Sequence, residues 1–138
     1  MLFCVLSAIV LHFIAPLSLT SNWLFFIFGL AFITLGLAMA FGAEGQFRRS
    51  KTTVDHLGTA TKLVTDGWFG YSRNPMYLSF VLILIGEWLS LGSLLPLIAV
   101  LVFIVLTERW YILPEEKRLA VVFGKGYESY QKRTRRWL

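Results

Sequence analysis

Asp66-Gly67-Trp68-Phe69-Gly70-Tyr71-Ser72-Arg73-Asn74-Pro75-Met76-Tyr77-Leu78 joins a charged, polar segment to a long apolar run. Its two glycines give the backbone freedom, Pro75 holds φ near a fixed value, and Asn74, placed before proline, is pushed towards extended geometry. Arg73 and Tyr77 are thereby presented from a shaped corner, and a helix can begin at or just after Pro75.

On either side of this corner the chain is apolar. Hydrophobic residues make up 57% of the sequence, charged residues only 15%, and the mean hydropathy is +0.67. A soluble domain of 138 residues does not normally carry such a composition, so the chain belongs in a membrane. Apolar runs over residues 2–19, 23–43, 76–91 and 94–113 predict four spans. The short links after the first and third runs predict two antiparallel hairpins. Between the hairpins lies a polar connector, residues 44–75, and an amphipathic tail occupies 114–138. The expected fold is therefore an all-α polytopic membrane protein forming one domain over residues 1–138. A cleaved leader is the competing reading of the first run, but no Lys or Arg precedes it and a second span follows closely, which favours a retained helix.

The net charge of +5 arises from 13 basic and 8 acidic residues, with the excess concentrated in 47–73 and 117–136. By the positive-inside rule the connector, the tail and both termini face the cytoplasm. Helical spans in a short chain point to a bacterial inner membrane. Because the arginines flank apolar spans instead of striping a soluble fold, the basic balance argues against a nucleic-acid partner. The lone Cys4 and two distant histidines leave no metal-ligand pattern. His12, inside the first run, is explained by a hydrogen bond to a neighbouring helix. Gly29, Gly36, Ala40 and Ala43 fall near one face of the second run, where they would let another helix approach closely.

Chemistry should gather on the cytoplasmic side. Glu108, Tyr111 and Glu115 are spaced to share a helical face, and Pro114 should kink the helix there. Glu115 and Glu116 at the membrane edge either pair with Arg73, Arg109 or tail arginines, or hold a cationic or hydroxyl-rich ligand. No serine has a base beside it, and Gly67-Trp68-Phe69-Gly70 lacks the pattern of a nucleotide-binding glycine loop.

Leu63-Val64-Thr65-Asp66-Gly67, Tyr71-Ser72-Arg73-Asn74-Pro75-Met76-Tyr77, Glu115-Glu116-Lys117-Arg118-Leu119, Phe123-Gly124 and the pair Tyr127 and Tyr130 carry a resemblance. Over about residues 48–137 the chain resembles the integral-membrane methyltransferases of the isoprenylcysteine carboxyl methyltransferase type, relatives of the phospholipid methyltransferases. The resemblance implies an S-adenosylmethionine site lined by Thr61, Lys62, Leu63, Val64, Phe69, Asn74, Pro75, Tyr77 and Glu115. Arg73 and Glu116 would serve catalysis, Arg109 and Tyr111 would meet a lipophilic or lipidated acceptor, and no metal would be required. This chain departs from the eukaryotic pattern at Asn74, where histidine is usual, and at Tyr111, where an arginine is thought to approach the acceptor carboxylate. A carboxylate acceptor, with an unperturbed pKa of about 4, needs no base. An amine acceptor would need one, with Glu116 or His56 nearest. Thiol methylation is a third chemistry open to the same architecture. A non-catalytic scaffold or small transporter, in which the charged residues form only structural ion pairs, is the reading from another class.

Overall fold

The computed structural model describes residues 6, 7, 9, 10, 12, 13, 23–50, 62–92 and 95–138. Among them the regular structure is all helical: α1 (Trp23–Arg49), α2 (Trp68–Tyr71), α3 (Pro75–Leu91), α4 (Leu95–Thr107), a π turn (Glu108–Ile112), α5 (Leu113–Phe123) and α6 (Lys125–Arg133). The described residues of the first expected span are helical, while most of that span, Thr61, His56 and part of the link after Gly92 lie outside the described residues.

Two helices, Trp23–Arg49 and Pro96–Phe123, are long and apolar enough to cross a membrane, and Pro75–Leu91 is a shorter apolar helix. Burial separates a membrane helix from the core helix of a soluble protein. Only 17% of the apolar window of α1 is buried, and Phe26, Phe28 and Phe41 are exposed along its outer side. Such a surface is stable against lipid rather than water. Trp23 and Trp110 are also exposed, as interfacial anchoring expects, whereas Trp88 packs on the core.

The tightest pairing is between α1 and α3, which run antiparallel. Gly29 lies against Gly86 and Ser90, and Gly36 against Ser79 and Ile83. The small-residue face expected on the second run is thus used within the chain. Gly29, Gly36 and Ala43 are buried there together with Met39, and Ala40 is partly buried. α1 also continues past Ala43 into the polar sequence. Arg48 and Arg49 occupy its last turn, where cations complement the helix dipole, and the Ser50 hydroxyl donates to Gln46 O at 3.0 Å. Beside α1, the buried side chains of Val81, Leu84, Val100 and Phe103 form the core between α3 and α4.

α1 also fixes the corner. Gln46 donates through Nε2 to Asp66 O at 2.6 Å and accepts from the Trp68 amide at 3.0 Å. Gly67 turns there with φ 54°, a left-handed value that spares a Cβ from meeting the Gln46 amide. α3 then begins at Pro75, where the missing N–H of proline costs nothing.

Beyond α4 the helix does not break at Pro114. The π turn precedes it, and the Leu113 amide donates to Glu108 O, five residues back. Widening the turn in this way relieves the clash that a proline ring makes with the preceding turn of an α-helix. The tail breaks at Gly124, with φ 48°, into the two short helices α5 and α6. α6 buries Tyr127 and Tyr130, and the Tyr130 hydroxyl donates to Phe69 O at 2.6 Å.

Two measurements test this packing. A Cβ at residue 86 would lie 2.5 Å from Gly29 O and 2.8 Å from the Ile33 amide nitrogen, so Gly86→Ala must push the helices apart. A loss of about 1–3 kcal/mol is expected in detergent unfolding. Gly45→Ala, which meets nothing within 4 Å, should instead be neutral or stabilise by up to about 1 kcal/mol. Equal effects of the two would refute the close crossing. Tyr130→Phe, which leaves the Phe69 carbonyl without its donor, should lower stability by about 1–2 kcal/mol; an unchanged unfolding midpoint would show that the tail is not held there.

Candidate functional site

The chain leaving α6 doubles back along the corner and ties it down by its backbone. Arg135 O accepts from the Arg73 amide at 2.9 Å. Arg136 O accepts from Ser72 Oγ at 3.2 Å and from Asn74 Nδ2 at 3.1 Å. Ser72 Oγ in turn accepts from the Asn74 amide at 3.1 Å, so Ser72, Asn74 and Pro75 are all buried.

On this frame four charged side chains meet. Arg73 Nη2 lies 3.1 Å from Glu116 Oε1, and each of these side chains is only 10% exposed. Arg136 grips the same carboxylate through both oxygens, Nε to Oε1 at 3.1 Å and Nη2 to Oε2 at 2.8 Å. Its Nη1 donates to Glu108 Oε1 at 2.7 Å, and the Trp137 indole reaches Glu108 Oε2 at 3.4 Å. The hydrogen bond to Glu116 leads in pushing the Arg136 guanidinium further above its ordinary value, with Glu108 adding in the same sense. Nε and Nη1 of Arg73 are buried and have no hydrogen-bond partner among the described residues.

Tyr127 closes the floor of the network. Burial pushes its hydroxyl up, the Glu116 charge adds to this, and the neighbouring Arg73 opposes it. Burial raises the Tyr130 hydroxyl as well. Both phenols therefore stay neutral hydrogen-bonding groups at neutral pH.

The expected site residues fall into three places. Arg73, Asn74, Pro75 and Glu116 belong to the charged corner. Tyr77 and Tyr111 face each other with ring centroids 6.3 Å apart, and Glu115 is close enough to act electrostatically on Tyr77. Arg109, Tyr111 and Glu115 are exposed. Lys62 borders a cleft of about 620 Å³ at the end of α1, lined also by Gln46, Arg49, Asp66 and Trp68, which none of the Tyr77 group reaches. Val64 is buried, Leu63 is partly buried, and Phe69 packs at 6.0 Å against Phe47 of α1.

Glu108 converges with Glu116 on Arg136. The π turn takes up one extra residue, so two turns there span about eight residues instead of about seven. Arg136 and Trp137 had been part of a general basic tail in the sequence. The spacing of Tyr127 and Tyr130, an apolar-sided pair in an otherwise polar helix, is the signal that this tail docks rather than floats.

The family model for phospholipid methyltransferases matches residues 24–126, well over half of the chain. An uncharacterized protein of Haemophilus influenzae is 41% identical over 63 residues, 46% of this chain and 100% of that protein. The protein-S-isoprenylcysteine O-methyltransferase of Schizosaccharomyces pombe is 34% identical over 87 residues. That match takes in 61% of this chain but only 34% of the yeast protein, so the chain corresponds to about a third of that relative's length. No solved structure matches. With the corner, the paired carboxylates and the docked tail all inside or adjoining the matched span, the chain belongs to the phospholipid methyltransferase family.

Proposed function

We propose that this protein is a membrane methyltransferase that transfers a methyl group from S-adenosylmethionine to a lipophilic acceptor, with a carboxylate as the acceptor group. The observation that carries the reading is Arg73. A buried guanidinium with two unpartnered N–H donors is unfavourable unless a ligand completes it, and a carboxylate oxygen on the cofactor or acceptor can accept from one of them. The bound cofactor would supply an electrophilic methyl group on a sulfonium.

The residues around the corner suit that ligand. Leu63, Val64 and Phe69 offer apolar surface for a purine. Asn74, whose Nδ2 is engaged by Arg136 O, keeps its side-chain oxygen as an acceptor. Tyr77 and Glu115 provide a hydroxyl and a carboxylate for ribose or amino groups, and Tyr111 beside Tyr77 would form the wall met by an acceptor arriving from lipid. Arg109 remains the outer cation available to an incoming carboxylate. The spans, their cytoplasmic orientation and a bacterial inner-membrane location complete the reading.

The state of Glu116 favours oxygen over nitrogen as the acceptor atom. An amine must lose a proton before it attacks, and Glu116 is the described carboxylate nearest the corner. Both of its oxygens already accept guanidinium N–H donors, so it serves better as an anchor than as a base. A carboxylate acceptor requires only alignment and exclusion of water.

Calorimetry of S-adenosylhomocysteine on the detergent-solubilised protein tests the cofactor assignment. The wild type should bind, and Glu115→Ala should weaken binding by about 1–3 kcal/mol, with a smaller loss for Tyr77→Phe. No binding in either detergent or lipid would overturn the methyltransferase reading. With methyl-labelled cofactor, label transferred to a farnesylated carboxylic acid should be released by alkali, as an ester requires; alkali-stable label would shift the assignment to nitrogen or sulfur.

A further inference from the structure

Glu116 stands between two arginines that treat it differently. The Nε and Nη2 atoms of a guanidinium form one edge that donates two parallel bonds to a carboxylate. Arg136 uses this edge in full on Glu116. Arg73 approaches Glu116 through Nη2 alone, and its buried Nε has no hydrogen-bond partner among the described residues. An isolated Arg73–Glu116 pair would close to the two-bond arrangement, because that satisfies one more buried donor.

Arg136 prevents this closure. Its Nη2 holds Glu116 Oε2 at 2.8 Å, the oxygen that Arg73 Nε would need. Arg136 cannot follow Glu116 towards Arg73, because Glu108 holds its Nη1 and Ser72 and Asn74 hold its carbonyl. The Tyr127 hydroxyl, though close to Arg73, makes no hydrogen bond to Nε or Nη1.

We propose that Arg136 is a positioning residue that holds Glu116 away from Arg73 Nε and so leaves that donor for a ligand carboxylate. The ligand's identity rests on the methyltransferase reading; the division of Glu116 between the two arginines does not. Arg136 also balances charge. Removing it leaves Arg73 with Glu108 and Glu116, one positive charge against two negative, so lost anion binding could come from repulsion alone. The two causes separate in double variants, since relieving repulsion requires only the removal of either carboxylate, whereas reopening Arg73 requires the removal of Glu116.

The test uses the full chain in detergent micelles. The probes are S-adenosylhomocysteine and an S-farnesyl thioether carboxylic acid, each beside its carboxamide analogue. Arg136→Ala should weaken whichever probe uses Arg73 by about 10- to 100-fold, while the matching amide, already weak, should change little. The probe that responds identifies the source of the carboxylate. R136A/E116Q should recover most of the lost affinity and R136A/E108Q should not. Wild-type affinity in R136A, or equal recovery in both double variants, would overturn the proposal.

A second readout needs no ligand. The Arg73 Nε–H signal in nitrogen-15 spectra, assigned by its loss in Arg73→Lys, should move downfield in R136A and return in R136A/E116Q. If that signal does not move, Arg136 does not restrain Glu116, whatever binds. If it moves as expected but the wild type binds neither probe, the methyltransferase reading fails while the restraint on Glu116 stands. Should R136A not fold, Arg136→Lys takes its place, since an ammonium keeps the charge but cannot span both oxygens of Glu116 and reach Glu108.

Discussion

Two arginines and two glutamates held together at the edge of the apolar helices set the main constraint on this protein. Placing any one of these charges away from water by itself would be strongly unfavourable, and each is tolerated because the others neutralise it. Arg73 comes from the corner before α3, Glu108 from the π turn, Glu116 from α5 and Arg136 from the segment after α6. The network therefore joins parts of the chain that neither share a helix nor adjoin in sequence. Removing any member leaves a charge behind, which explains why the backbone around it is so fully hydrogen bonded.

The sequence made part of this legible. Composition and apolar runs announced a helical membrane protein. The small residues of α1 marked the face that α3 occupies, and Pro75 marked the start of α3. These signals are local, or periodic along one helix, and need no knowledge of the partner. The π turn was different. Pro114 warned that the helix could not continue undisturbed, but a kink and a widened turn are equally good answers to a missing N–H and a ring clash. The widened turn moved Glu108 into line with Glu116, against the spacing rule for an undisturbed helix. Arg136 could not be told from Lys132, Arg133 or Arg135 either, since its role depends on backbone bonds to residues 62 to 64 positions earlier. Only those bonds turn one member of a basic run into the centre of a cluster.

The candidate site is also divided by the fold in a way that spacing did not suggest. Phe69 packs on Phe47 of α1, whereas Tyr77 faces Tyr111 with Glu115 close by. Tyr111 lies within the π turn, and such turns recur where a helix must present side chains out of regular register.

Gly124 separates two kinds of assembly. Before it, the apolar helices α1 and α3 are locked together by their glycines. After it, α6 and the segment beyond return to contacts far back in sequence, which is the slowest kind of closure to make. Insertion and site formation are consequently distinct steps. A chain can be fully threaded through the membrane, and resist extraction as an integral protein does, while its tail is undocked and its arginines and glutamates are still unpaired.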